Sequence, residues 1–243
     1  MKQPLLFIFI ASLILAGCSF EDSAYDNAIG TGGSTARFTI NKNHLYTVDV
    51  SNIHTFDISD AEKIDHKGMQ NVGYGIETIF PMNNLLFLGA RDGMYIYNLT
   101  NPDQPKQESY TPHFMSNDPV VVKGDFAYVT LRTWNRNKLQ IYNISNISNP
   151  ILVKEYDMAA PKGLSVDENL LFVCDDKLKV YSITNGTVLE LLHSFNIQAN
   201  DVIAKDGHLF VIANDGLYQY SYNADEIDLL SKIPLNYAPL ENK

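Results

Sequence analysis

The sequence predicts an all-β protein, a five-bladed β-propeller made of four-stranded antiparallel blades. Two patterns that recur about every 40 residues support this prediction. An aromatic residue marks each second strand, at Tyr46, Phe87, Tyr128, Phe172 and Phe210. An aromatic/polar/aliphatic-or-aromatic/polar pattern ends each third strand, at 56–59, 97–100, 142–145, 181–184 and 220–223. No eleven-residue stretch inside the repeats has helical periodicity.

The clearest repeat unit covers residues 118–156. It contains four short apolar runs rich in Val, Ile, Tyr and Phe, at 119–122, 126–131, 139–144 and 151–156. These residue types favour β-strands. Turn-forming residues separate the runs, namely Lys123-Gly124-Asp125, Asn135-Arg136-Asn137 and the stretch 146–150. The unit is therefore a four-stranded meander.

The second strands are apolar on both faces, as in 85–88, 126–129 and 170–173. A sheet with one solvated face would alternate apolar and polar residues. Strands buried on both faces fit a blade stacked between two neighbours. A two-sheet sandwich also has apolar inner faces, but the regular repeat favours the propeller.

The first residues predict export and lipid anchoring. An apolar run follows Lys2 and has the length of a signal-peptide core, and Leu15-Ala16-Gly17-Cys18 resembles the bacterial lipobox. Lipidation of Cys18 would hold the protein on a membrane surface; an ordinary secretory signal is the alternative. We expect a signal peptide at 1–17, a flexible tether at 18–35, blades at 36–71, 72–117, 118–160, 161–199 and 200–235, and a tail at 236–243.

Charge limits the partners. The chain has a formal net charge of −10, so nucleic acid and anionic membrane faces are poor partners. We expect an outer-membrane lipoprotein on the cell surface or the periplasmic face. Glu21 and Asp22 resemble the surface-export signals of Bacteroidetes lipoproteins, or they belong to a solvated linker.

Residues 139–146, followed by 148–153, resemble the LVIVD repeat, whose core ends in a Ser-Asn-Pro-like turn. The stretches 95–105 and 55–60 are further matches, and blades four and five lack the Asn-Pro pair. The resemblance implies a β-propeller lipoprotein of the Bacteroidetes type, with no assigned activity. Relatives often carry further repeats upstream, so a shortened propeller is implied. Five blades could close into a ring by face packing between blades one and five, or form an open arc.

One candidate site is a polar funnel. The residues just before each innermost strand converge at one mouth of a propeller channel, where they either bind a polar ligand or hold the blades together. The predicted funnel contains Arg37, Glu77, His113, Asp118, Lys162 and Asp201.

A second candidate site is the hairpin of blade three, in which Arg132 and Arg136 flank the single tryptophan, Trp134. Trp and Arg are favoured at binding hot spots and on stacking platforms, although the Trp could instead fold back on its own blade. Cys174 lies in a predicted strand and is expected to be a buried free thiol. No metal-binding, nucleotide-binding or nucleophile motif occurs, so we expect no metal and no cofactor.

These observations favour a lipid-anchored envelope propeller that binds a protein or glycan without catalysis. The alternative is an envelope enzyme, a glycan hydrolase or lyase, that uses carboxylates in the central funnel.

Overall fold

The structure is a computed structural model and describes residues 33–114, 119–223 and 225–235. It contains five four-stranded antiparallel sheets, and in every sheet the strands follow chain order. The predicted all-β, five-bladed propeller is therefore confirmed. Within the described ranges, no helix is long and apolar enough to cross a membrane.

The twenty strands are distributed four to a blade. Blade one contains β1 (Phe38–Asn41), β2 (His44–Val48), β3 (Asn52–Asp60) and β4 (Lys63–Asn71). Blade two contains β5 (Ile76–Met82), β6 (Leu85–Ala90), β7 (Gly93–Asn98) and β8 (Lys106–Pro112). Blade three contains β9 (Val120–Lys123), β10 (Phe126–Arg132), β11 (Asn137–Asn143) and β12 (Ile151–Asp157). Blade four contains β13 (Leu164–Asp167), β14 (Leu170–Cys174), β15 (Leu178–Ser182) and β16 (Glu190–Phe195). Blade five contains β17 (Ala199–Lys205), β18 (His208–Ala213), β19 (Gly216–Tyr222) and β20 (Ile227–Pro234).

The second strands explain how the blades stack. Successive side chains of a strand point to opposite faces, so two neighbouring apolar residues serve two different blades. In blade four, Leu171 packs in the apolar cluster shared with blade three, whereas Phe172 packs in the cluster shared with blade five. The same division holds for Leu86 and Phe87 in blade two. The recurring aromatic is thus the residue that each blade inserts toward the next one.

Four apolar clusters hold the blades together, and they join blades one and two, two and three, three and four, and four and five. Among the described residues, no apolar cluster joins blade five to blade one. Phe210, the fifth aromatic of the series, keeps 40% of its surface exposed, whereas Phe172 is fully buried. The apolar packing of the stack is therefore open between its first and last blades.

Residues just before β1 make the described polar link between the two ends of the stack. Ser34 is buried, accepts a hydrogen bond from Leu164 N at 2.7 Å and donates one to Asp201 Oδ1 at 3.3 Å. Thr35 donates to the other oxygen of Asp201. Residues 34 and 35, which the sequence placed in a flexible tether, thus form hydrogen bonds with blades four and five.

Candidate functional site

The predicted funnel corresponds to a cavity of about 280 Å³ at the end of the propeller where the innermost strands begin. Three of the six predicted residues, Arg37, Glu77 and Lys162, line it together. Since these residues belong to blades one, two and four, only the stacking of the blades brings them into one place. The described lining residues are Thr35, Arg37, Glu77, Thr78, Pro119, Arg132, Pro161 and Lys162.

The carboxylates of the funnel have structural partners. Glu77 Oε1 accepts a hydrogen bond from Arg91 Nε at 3.1 Å; Glu77 lies in β5, and Arg91 lies in the turn that follows β6 of the same blade. Asp201 lies deeper, beside the lining residue Thr35, and accepts hydrogen bonds from Ser34, Thr35 and the backbone N–H of Val202. Burial raises the pKa of the Asp201 carboxyl above its usual value. Asp201 therefore links the segment just before β1 to blade five.

The cations of the funnel are less engaged. The guanidinium groups of Arg37 and Arg132 form no ion pair with any other described residue, and both side chains are exposed. Lys162 Nζ donates a hydrogen bond to the neutral Asn200 Oδ1 at 2.6 Å. Among the described residues, the cavity thus presents three cationic groups, and the one lining carboxylate, Glu77, is paired with Arg91.

Arg132, predicted in the blade-three hairpin, pairs with Asn137 at the base of that hairpin and also lines the funnel. It ends β10, and the end of this second strand lies beside the start of the innermost strand β9. This antiparallel pairing directs Arg132 toward the funnel. The position could have been found from the strand order, because the last residue of a second strand always returns to the mouth where the first strand begins.

The tip of the hairpin is exposed to solvent. Trp134 is 93% exposed and does not fold back on its own blade. Arg136 lies over the ring of Phe114, 4.3 Å from its centroid, and stands 3.9 Å from Glu155. The turn is held by Thr133, whose hydroxyl donates to the carbonyl of Arg136 and accepts from its N–H. The hairpin is a well-formed turn with one unpacked aromatic side chain.

The described cavity does not bring together all six predicted funnel residues. His113 does not line it, and its Nδ1 lies 2.9 Å from the carbonyl oxygen of Phe114. Asp118 lies outside the described residues, as does Cys18. Cys174 is a free thiol with no exposed surface, as predicted, and burial raises its pKa.

A larger cavity, of about 840 Å³, lies away from the funnel, in an open groove between the outer parts of blades one and two. None of the predicted site residues lines it. Within the described ranges, no group of three or more His, Cys, Asp or Glu side chains is arranged to hold a metal ion.

Comparisons with known proteins agree on the fold. The periplasmic gluconolactonase PpgL of Pseudomonas aeruginosa shares 12% identity with a TM-score of 0.62, over 80% of this chain and 69% of that chain. A putative 6-phosphogluconolactonase of Bacteroides uniformis shares 10% identity with a TM-score of 0.65, over 82% and 70%. A functionally unknown protein of Desulfotomaculum acetoxidans shares 10% identity with a TM-score of 0.65, over 78% and 65%.

At these identities the likeness concerns the fold alone. Other structural neighbours are matched over less than two thirds of their length; in BamB of Moraxella catarrhalis, for example, 54% of the chain is covered. No curated protein matches the chain in sequence. Residues 116–158, which include all of blade three, match the LVIVD repeat family. The protein is thus a five-bladed β-propeller that carries the LVIVD repeat.

Proposed function

We propose that the protein is a non-catalytic binding module of the cell envelope, held on a membrane by a lipid on Cys18, that docks a β-sheet of a partner protein on the open faces of its end blades. The observation that carries this proposal is the exposure of the face of blade five that would point toward a following blade. In the inner blades, the equivalent face is covered.

On blade five, one row of directly opposed residues runs across the outer three strands. Ile212 pairs with Leu217, and Leu217 pairs with Ile233, so all three side chains lie on one face. Their exposed fractions are 49%, 36% and 61%. Phe210 adds a fourth apolar side chain to the same face, two residues along β18. Contiguous apolar surface of this kind marks protein interaction sites.

Blade one presents a comparable face on the other side of the opening. The opposed row here contains Phe38, Thr47, His54 and Met69, and Phe38 and Met69 are 59% and 62% exposed. Because the stacked blades use these positions to pack sheet against sheet, a sheet with an apolar face is the partner that fits.

The alternative function, a glycan hydrolase or lyase with a carboxylate site, has less support. Such enzymes use two carboxyl groups that flank the reacting bond. Glu77 is paired with Arg91, and Asp201 is enclosed by Ser34 and Thr35. The lactonase names of two structural neighbours describe those proteins. Loss of a measured turnover in Glu77→Gln, with an unchanged melting temperature, would revive this alternative.

The docking proposal is tested with a photo-crosslinking amino acid placed at position 210 or 212 of the full chain in intact cells. The matched control carries the same group at position 151, an exposed position in the outer strand of blade three, away from the open faces. We expect one discrete crosslinked protein from positions 210 and 212 and none from position 151. Crosslinks to a second copy of this chain would show that the docked sheet belongs to another molecule of the same protein. Identical product patterns from all three positions, or none from 210 and 212, would contradict the proposal.

Lipid anchoring and cellular location are tested in a separate experiment. We expect a radiolabelled fatty acid to be incorporated into the wild-type protein and not into Cys18→Ser, and we expect the wild type to fractionate with membranes. Protease treatment of intact cells then distinguishes the two faces, because digestion before lysis indicates the cell surface. A soluble, unlabelled wild-type protein would contradict lipid anchoring.

A further inference from the structure

We propose that the mouth of the funnel binds a small anionic ligand, a sugar-sized compound that carries a carboxylate or phosphate group. This site is separate from the open blade faces, and its existence does not depend on whether those faces bind a partner.

Three cationic side chains converge from three blades. Arg37 precedes β1, Arg132 ends β10 and Lys162 precedes β13, and all three line one cavity. The protein has a formal net charge of −10, so a local excess of positive charge does not follow from its composition. The lining also contains the carboxylate Glu77, which is paired with Arg91 outside the cavity. The three cations therefore outnumber the lining carboxylate among the described residues, and grouped cations concentrate counter-ions. The arrangement therefore favours occupation by an anion.

The guanidinium groups of Arg37 and Arg132 form no ion pairs that would stabilise the fold of the described residues. Neither guanidinium has an ion-pair partner in the described chain, whereas Arg91, in the same region, is bonded to Glu77. A guanidinium presents a planar set of donors that matches the two oxygens of a carboxylate or phosphate. Arg37 and Arg132 are thus available for a ligand, and Lys162 can add a point charge.

The size and the neutral lining limit the ligand. A volume of about 280 Å³ lies just below the ~300–1,000 Å³ of cavities that hold drug-sized molecules. The remaining walls include two prolines, Pro119 and Pro161, and the hydroxyl-bearing Thr35. Prolines supply apolar surface, and the threonine oxygen can accept a hydrogen bond from a ligand hydroxyl. A monosaccharide with one anionic group meets these conditions.

The test is titration calorimetry of the purified full chain with glucuronate, glucose 6-phosphate and glucose, which share a ring and differ in their anionic group. We expect the two charged sugars to bind, more weakly as salt concentration rises, and glucose to show no heat of binding. Inorganic phosphate as a fourth probe distinguishes recognition of the group alone from recognition of the sugar that carries it.

Variants assign the site. We expect Arg37→Gln and Arg132→Gln each to weaken binding of the charged sugars by about tenfold or more, because each removes a charge-assisted hydrogen bond. Arg136→Gln is the matched control, since Arg136 lies over Phe114 and is not among the residues that line the cavity, and its affinity should equal that of the wild type. Equal melting temperatures show that each variant is folded, and Lys162→Gln replaces any variant that is not.

Three results would overturn the proposal. They are binding of glucose as tight as that of glucuronate, an equal loss of affinity in Arg136→Gln, or no heat from any charged probe at low salt. A failed docking experiment on blade five would leave this outcome unchanged, because neither Phe210 nor Ile212 lines the funnel.

Discussion

At the residue level, Asp201 is held by contacts from three segments of the chain. Its carboxylate receives hydrogen bonds from the segment before β1, although it belongs to blade five. Two glycines, Gly33 and Gly163, allow this close approach. A Cβ atom built on Gly163 would lie 2.8 Å from the Cα of Asp201, and one built on Gly33 would lie 2.9 Å from its Cγ. Gly33, Gly163 and Asp201 therefore form one packed joint.

Replacing Gly163 with alanine should therefore destabilise the protein. The added methyl group meets backbone atoms of Asp201 and Asn200, which cannot move aside as a flexible side chain could. We expect a loss of about 1–3 kcal/mol in the free energy of unfolding, measured by urea denaturation. Gly68→Ala is the control, since no atom lies within 4 Å of its added Cβ. An equal effect of both substitutions would contradict the packed joint.

The raised pKa of Asp201 predicts a pH dependence. Burial raises the pKa of this carboxyl in the folded state, so the folded protein binds the proton more readily than the unfolded one. Its contribution to stability is present at low pH and is lost as pH rises from the usual value of about 3.9 through the raised folded value. The stability of the wild type minus that of Asp201→Asn should therefore fall over this window. Urea denaturation of both proteins from pH 4 upward measures it, and a difference that stays constant or rises would contradict the prediction.

At the level of strands and turns, the pattern that ends each third strand has a structural explanation. The pairing of the third strand with the fourth shifts register immediately before the aromatic residue in every blade, at Phe56, Tyr97, Tyr142, Tyr181 and Tyr220. A bulge of this kind bends and twists the outer strand. The polar residue that follows then forms the turn, as Asn98 accepts from Thr100 N at 2.7 Å and Asn143 from Ser145 N at 2.9 Å.

The second-strand aromatic also has a polar function in blade three. The hydroxyl of Tyr128 donates to the carbonyl of Gly186 in blade four at 2.8 Å, and burial raises its pKa to about 12. Tyr128→Phe would leave that carbonyl without its partner, so we expect a loss of about 1–2 kcal/mol in the free energy of unfolding. Tyr110→Phe is the control, because Tyr110 is 40% exposed and water can replace its hydrogen bond. Equal losses would show that burial of the Tyr128 hydroxyl is not decisive.

These elements show what the sequence can predict. Periodic apolar and aromatic positions depend on local strand geometry, so Phe87 and Phe172 could be assigned to blades from sequence. The bulges could not, because register depends on pairing between strands. The place of Arg132 in the funnel lining was not predicted for a related reason, since it depends on how the blades stack. Asp201 was placed near the funnel, but its enclosure depends on contacts with Ser34, more than 160 residues away.

At the level of the whole molecule, the apolar packing between the described blades runs from blade one to blade five and has two ends. Each inner blade packs against two neighbours, whereas blades one and five each have one apolar neighbour among the described residues. In repeat proteins, stability is approximately a sum of unit and interface terms. The loss of stability caused by a substitution should therefore depend on whether a neighbouring blade packs against the substituted side chain.

Phe172 and Phe210 allow this dependence to be measured, because they hold equivalent positions in blades four and five. Phe172 is fully buried against blade five, and Phe210 is 40% exposed. We expect Phe172→Ala to cost about 3–5 kcal/mol of unfolding free energy, as is usual for a buried phenylalanine. Phe210→Ala should cost the purified protein less than half as much, since part of its surface already contacts water.

The comparison requires protein at low concentration, so that association does not cover the open face. Urea denaturation of both variants then reports the two costs. A small cost at position 210 means that blade five ends the stack in solution and that its apolar face is available to a partner. Equal costs would mean that blades five and one close upon each other in solution, which would remove the surface on which the docking proposal depends.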